Sequence, residues 1–133
     1  MKKYLVDTSV FIAHLRDFAP ATNFLLQEEG LIISYVTLAE LMQGTGNKNE
    51  IEKIKRLLQP FTVHWGSETV NKRALGLVEQ YHLSHKAYVL DMLIAATALT
   101  ADLPLVTDNV KDFQFIPGLT VHKPPYEQIE KVA

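Results

Sequence analysis

Three carboxylates lie in apolar surroundings far apart along the chain: Asp7 in Tyr4-Leu5-Val6-Asp7-Thr8-Ser9, Glu40 in Thr37-Leu38-Ala39-Glu40-Leu41, and Asp91 in Val89-Leu90-Asp91-Met92-Leu93-Ile94. Each charge is flanked by residues that favour burial. A buried, unpaired carboxylate is costly unless it meets a cation, a donor or a catalytic task. Brought together, the three would form a pocket of oxygen ligands, the donor set of a hard divalent cation. Singly, each has a plainer reading: Asp7 as a helix cap, Glu40 as an exposed helix position, Asp91 as a first-turn acid favoured by the helix dipole. The dipole explains the position of Asp91 but not its setting among Leu90, Leu93 and Ile94.

The elements that must position these acids are short and clearly punctuated. Lys3 to Val6 reads as a strand and Ser9 to Arg16 as a helix, with Thr8 or Ser9 able to cap it. Pro20 opens a second helix and Gly30 closes it. Leu31-Ile32-Ile33-Ser34 is continuously apolar, as expected of a strand covered on both faces. Thr37 to Gln43 reads as a helix stopped by Gly44. Asn47-Lys48-Asn49-Glu50 forms a capping-box pattern ahead of Ile51, Ile54 and Leu58 at helical spacing. Phe61 to Trp65 reads as a strand. Val70, Ala74, Leu77, Val78 and Tyr81 form one stripe of a helix over 67–82, and Leu90 to Ala101 is a helix apolar almost all round. Leu105-Val106-Thr107 and Leu119-Thr120-Val121 complete the strands. Strands alternating with helices predict an α/β sandwich with a largely parallel sheet. In such sheets ligands bind beyond the carboxyl ends of the strands. Asp7 and the Thr107-Asp108-Asn109 run fall at such ends, and Glu40 and Asp91 on helices that begin nearby.

Composition narrows the function. The chain has 133 residues, 47% of them hydrophobic, which suits one compact domain and excludes disorder. No apolar run approaches the roughly 18–20 residues of a membrane span, and Met1-Lys2-Lys3 does not open a signal peptide. Cysteine is absent, which removes disulfides and thiolate metal sites. Together these features lead us to expect a cytoplasmic protein. The net charge of −2 does not advertise a nucleic-acid partner, yet a local acidic site whose bound cations attract phosphate remains compatible with one.

Four motifs recur in an order that spans nearly the whole chain: Val6-Asp7-Thr8-Ser9, the Glu40 helix, Asp91-Met92-Leu93-Ile94-Ala95-Ala96-Thr97-Ala98, and Leu105-Val106-Thr107-Asp108-Asn109 with Asp112-Phe113. In this ordered set the chain resembles PIN-domain proteins and, within them, VapC-type toxin ribonucleases. The resemblance implies a three-layer α/β/α fold with a short, mainly parallel central sheet, forming a single nuclease domain over residues 1–133. It implies a metal-dependent endoribonuclease using Mg²⁺ or Mn²⁺, with Asp7, Glu40, Asp91 and a fourth acid as catalytic and metal-binding residues, leaving 5′-phosphate and 3′-hydroxyl ends. It also implies an RNA substrate, a VapB-type antitoxin and a homodimer. The fourth acid is where the chain departs from the pattern. Many relatives carry Asp two residues after the threonine matching Thr107, where this chain has Asn109. Asp112 is the preferred substitute, ahead of Asp108.

Thr8, Ser9 and Thr107 carry hydroxyls able to orient carboxylates or waters, and Asn109 offers a neutral carbonyl in the same region. Lys86, in the loop before Asp91, is a candidate substrate contact, and Tyr88 could stack on a base. His82 and His85 are explained by the favourable position of cations at a helix end. Phe11, Leu15, Phe24, Met42 and Leu57 are candidates for an apolar groove that an antitoxin segment would fill. Two rival functions remain at this point: a PIN nuclease of RNA processing without an antitoxin, and a catalytically weak RNA- or protein-binding domain.

Overall fold

The computed structural model describes residues 3–123; the Met1-Lys2 start lies outside this span. Strand β1 (Tyr4–Val6) leads into α1 (Thr8–Leu15) and α2 (Ala19–Gln27), then β2 (Leu31–Ser34), α3 (Tyr35–Gln43) and α4 (Lys48–Leu58). Strand β3 (Thr62–His64), α5 (Glu68–His85), α6 (Val89–Ala101), β4 (Leu105–Val106), a 3₁₀ turn at Val110–Asp112 and β5 (Val121–His122) follow. The sheet has five strands in the order β3-β2-β1-β4-β5, and every pairing is parallel. The α/β expectation therefore holds, with a sheet that is wholly parallel.

Strand order dictates the layers. From β1 through β2 to β3 the chain steps one way across the sheet. It then crosses back to β4 on the other side of β1. Right-handed crossovers put the helices of the two journeys on opposite faces. The strands show this by alternation: Tyr4, Val6, Leu31, Ile33 and Val106 pack with α1, α2 and α4 in one core, while Leu5 and Leu105 pack with α5 and α6 in the other. Ala95, Ala96 and Ala98 are buried, and their small side chains let α6 lie close to its neighbours.

Capping fixes where the helices start. Asn47 accepts the Glu50 amide at 3.0 Å while its own Nδ2 donates to Glu50 Oε1 at 3.1 Å, a variant of the predicted capping box. Ser34 caps α3 by accepting the Val36 amide at 3.1 Å, so this helix begins two residues before the sequence pattern indicates. Ser67 accepts the Val70 amide at 3.1 Å and caps α5, the long helix that buttresses α6. Replacing Ser67 by Ala is expected to cost about 1 kcal/mol, seen as a fall of roughly 3–5 °C in a thermal melt, with Ser67→Asp retaining the wild-type value.

Candidate active site

The carboxyl ends of β1 and β4 are adjacent, and they are where the chain departs in opposite directions; such switch points open a crevice at the sheet edge. Asp7 leaves β1 here and is buried. Its carboxylate, rather than the hydroxyl of Thr8 or Ser9, caps α1 by accepting the Ser9 amide at 3.4 Å. The same Oδ2 accepts the Ser9 hydroxyl at 2.8 Å and the buried Thr107 hydroxyl at 2.8 Å. All three bonds converge on Oδ2, and the Thr8 backbone adds a further hydrogen bond to the carboxylate. Burial raises the pKa of Asp7 above the ordinary carboxylate value; the bonds from Ser9 and Thr107 oppose that rise.

Hydroxyls tie the two strand ends together. Ser9 Oγ accepts the Asp108 amide at 3.0 Å, and Thr107 Oγ1 accepts the Asn109 amide at 3.0 Å. Thr8 Oγ1 donates to Glu40 Oε1 at 2.7 Å and lies 3.0 Å from the buried Thr37 hydroxyl. Glu40 is half-buried on α3 and thus reaches the site from the β2 side. Thr37 was not among the sequence candidates. Its position one turn before Glu40 on the same helix face was the available signal.

Asp91 occupies the first turn of α6 and is half-buried. Its pKa is raised to about 7, first by burial and then by the charges of Asp7, Asp112 and Glu40. Asp7, Asp112 and Glu40 thus lie near enough for their charges to act on Asp91. Asp112, at the end of the 3₁₀ turn, is exposed, and its charge is one of those acting on Asp91. Asp108 is half-buried and contributes its amide to Ser9, and Asn109 is exposed. Among the described residues, no three His, Cys, Asp or Glu side chains are drawn tightly enough to enclose a cation. The donor set still suits a hard ion: it is all oxygen and acidic, and among the described residues Asp7, Glu40, Asp91 and Asp112 join no ion pair. Lys86, in the loop before Asp91, is the left-handed cap of α5 and is exposed, with φ 55°.

An apolar groove of about 410 Å³ runs beside the acids, lined by Ile12, Leu15, Leu41 and Ile54, with Glu40 in its wall and Lys53 at its rim. Of the groove candidates named from sequence, Leu15 is exposed and lines it. Phe11 and Phe24 are instead core residues, while Met42 and Leu57 pack partly buried against that core. Among the described residues no helix is long and apolar enough to cross a membrane.

The chain matches the family model described as PIN domain over residues 4–117. It is 40% identical over 126 residues to Ribonuclease VapC10 of Mycobacterium tuberculosis, covering 92% of each chain. It superposes on a toxin-antitoxin complex from Klebsiella pneumoniae with a TM-score of 0.77 and 30% identity, covering 93% of this chain and 98% of the other. It is also similar to VapBC-1 from nontypeable Haemophilus influenzae, with a TM-score of 0.73, 25% identity, and coverage of 90% and 96%.

Proposed function

We propose that this chain, which belongs to the PIN domain family and to the VapC ribonucleases within it, is the metal-dependent endoribonuclease toxin of a VapBC-type toxin–antitoxin pair. The observation that carries the reading is the hydroxyl network at the adjoining ends of β1 and β4, where Ser9 and Thr107 hold the buried Asp7 carboxylate and Thr8 holds Glu40; burial and the charges of Asp7, Asp112 and Glu40 push Asp91 up beside it. Carboxylates that repel one another at a strand switch point are poised for a divalent cation. In this proposal Asp7, Glu40 and Asp91 hold Mg²⁺ or Mn²⁺, and Asp112 approaches from the side left neutral by Asn109. A divalent ion held by these carboxylates would supply Lewis acidity, making a bound water more acidic and offsetting charge on the phosphoryl oxygens.

The remaining residues position this machinery. Ser9 and Thr107 hold the Asp7 carboxylate in one orientation, in which it would meet the ion. Thr8 fixes Glu40 against α1. Lys86 contacts substrate phosphate. The VapB-type antitoxin occupies the apolar groove, and because Glu40 forms part of that wall, the occupant reaches the acids. A homodimer with two-fold symmetry is the expected assembly.

The test is cleavage of cellular RNA with mapping of both ends. Activity in Mg²⁺ or Mn²⁺ with 5′-phosphate and 3′-hydroxyl products, lost in excess chelator, is expected. Products ending in 2′,3′-cyclic phosphate, or full activity in chelator, would overturn the metal mechanism.

A further inference from the structure

Beyond the acids, the sheet edge carries a second set of charges. A cleft of about 540 Å³ is lined by Asp108, Asn109, Val110, Lys111, Asp112 and Lys123. A neighbouring cleft of about 320 Å³ is lined by Ser9, Ile12, Ala13, Arg16, Asp108 and Asn109. The two share the Asp108–Asn109 wall, so they form one trough with Lys111 and Lys123 at one end and Arg16 at the other. Ser9 and Asp112 place this trough directly against the acids.

Three features single it out. The ion pairs among the described residues are Glu52–Lys55 and Glu68–Lys72. The side chains of Arg16, Lys111 and Lys123 therefore join no such pair there, although the chain carries a net charge of −2. Their elements converge: Lys123 directly follows β5, Lys111 lies in the 3₁₀ turn after β4, and Arg16 ends α1 on the helix face that begins with Ser9. Finally, Asn109 stands in the shared wall. A fourth carboxylate there would add negative charge to the path, whereas a neutral amide adds a donor and an acceptor.

We propose that Arg16, Lys111 and Lys123 form a phosphate-gripping track for unpaired RNA flanking the scissile bond, with Asn109 at its waist contacting a base or sugar. The proposal rests on the ribonuclease reading. Cations that meet successive phosphates supply affinity and register but no sequence preference. An amide side chain has the hydrogen-bonding groups to read an exposed base edge. Asn109 thus serves the substrate, and the departure at this position trades metal charge for RNA contact.

The test measures binding of a short, fluorescently labelled single-stranded RNA of mixed sequence to the full chain, with Ca²⁺ replacing Mg²⁺, across a series of KCl concentrations. Cleavage is then followed in Mg²⁺. Each lost phosphate contact lowers the slope of log affinity against log salt by about 0.7. The triple variant Arg16→Ala, Lys111→Ala, Lys123→Ala is expected to lose about two units of slope, with the defect in cleavage appearing in KM. Asn109→Ala should weaken binding with no change in slope. Lys72→Ala, which removes a cation paired with Glu68 on α5, should leave the slope untouched. A triple variant that keeps the wild-type slope and KM, while wild type cleaves, overturns the track alone. Wild type that binds with the expected slope, lost in the triple variant, but never cleaves upholds the track and refutes the nuclease reading.

Discussion

Asp91→Asn is expected to abolish RNA cleavage, by about 10³-fold or more given the charge it removes from the reacting centre, while making the metal-free protein more stable at pH 8. The two effects share one cause. Asp91 has a folded-state pKa of about 7 against an ordinary value of 3.8, raised by burial and by Asp7, Asp112 and Glu40. The folded protein therefore binds the proton more tightly than the unfolded chain. This contribution to stability is fully present below the unfolded value and is lost as pH rises through about 7. Wild type without metal should melt at a higher temperature at pH 5 than at pH 8. The variant has no charge to bury at either pH. A shift of this kind carries about 1.4 kcal/mol per unit, and allowing for solvent and relaxation the gain at pH 8 is about 1–2 kcal/mol, or roughly 3–8 °C. Mn²⁺ should raise the melting temperature of wild type by binding the native state and have little effect on the variant. Retained cleavage with an unchanged melting curve would remove Asp91 from the site.

The second large effect is expected at Thr107, which carries no charge and touches no substrate. Its hydroxyl donates to Asp7 Oδ2 at 2.8 Å and accepts the Asn109 amide at 3.0 Å. Thr107→Val keeps the shape and removes both bonds, taking one of three donors from the buried Asp7 Oδ2 and the acceptor from the Asn109 amide. The cost in stability is about 1–3 kcal/mol, and apparent Mn²⁺ affinity should fall about 10–100-fold. The readout that separates positioning from general destabilisation is metal dependence: rising Mn²⁺ should restore much of the activity of Thr107→Val. Thr107→Ser, which keeps the hydroxyl, should behave like wild type. A Thr107→Val protein with unaltered metal dependence would assign the residue to packing alone.

How much of this was readable beforehand differs by residue. Asp7, Glu40 and Asp91 stood out because a carboxylate inside an apolar run is chemically conspicuous, and the strand–helix alternation placed them near one sheet edge. The α5 stripe was equally plain, since Val70, Ala74 and Leu77 are all buried as their spacing required. The bond between Thr8 and Glu40 was not readable. It depends on how α1 and α3 face each other, which is set by tertiary packing between residues 32 positions apart. The same limit applied to the groove. Phe11 and Leu15 lie one turn apart on α1, and local pattern does not say that Phe11 enters the core while Leu15 stays at the surface. The start of α1 was misplaced by one residue, because a site carboxylate doubles as its cap. The fourth acid was not readable from sequence, because Asp108, Asn109 and Asp112 follow β4 within a few residues; the charge of Asp112 acts on Asp91.

The placement of β1 between β2 and β4 also has a consequence in time. Asp7 emerges early in synthesis, but the hydroxyl that orients it belongs to Thr107, 100 positions later. Its strand also needs β4 alongside it, through the Leu5–Leu105 and Val6–Val106 register. A partly translated chain can form its first helices and even pair β1 with β2, yet it has no assembled acid cluster to act with. The orientation of Asp7 thus waits on the returning strand β4, which closes the sheet beside β1.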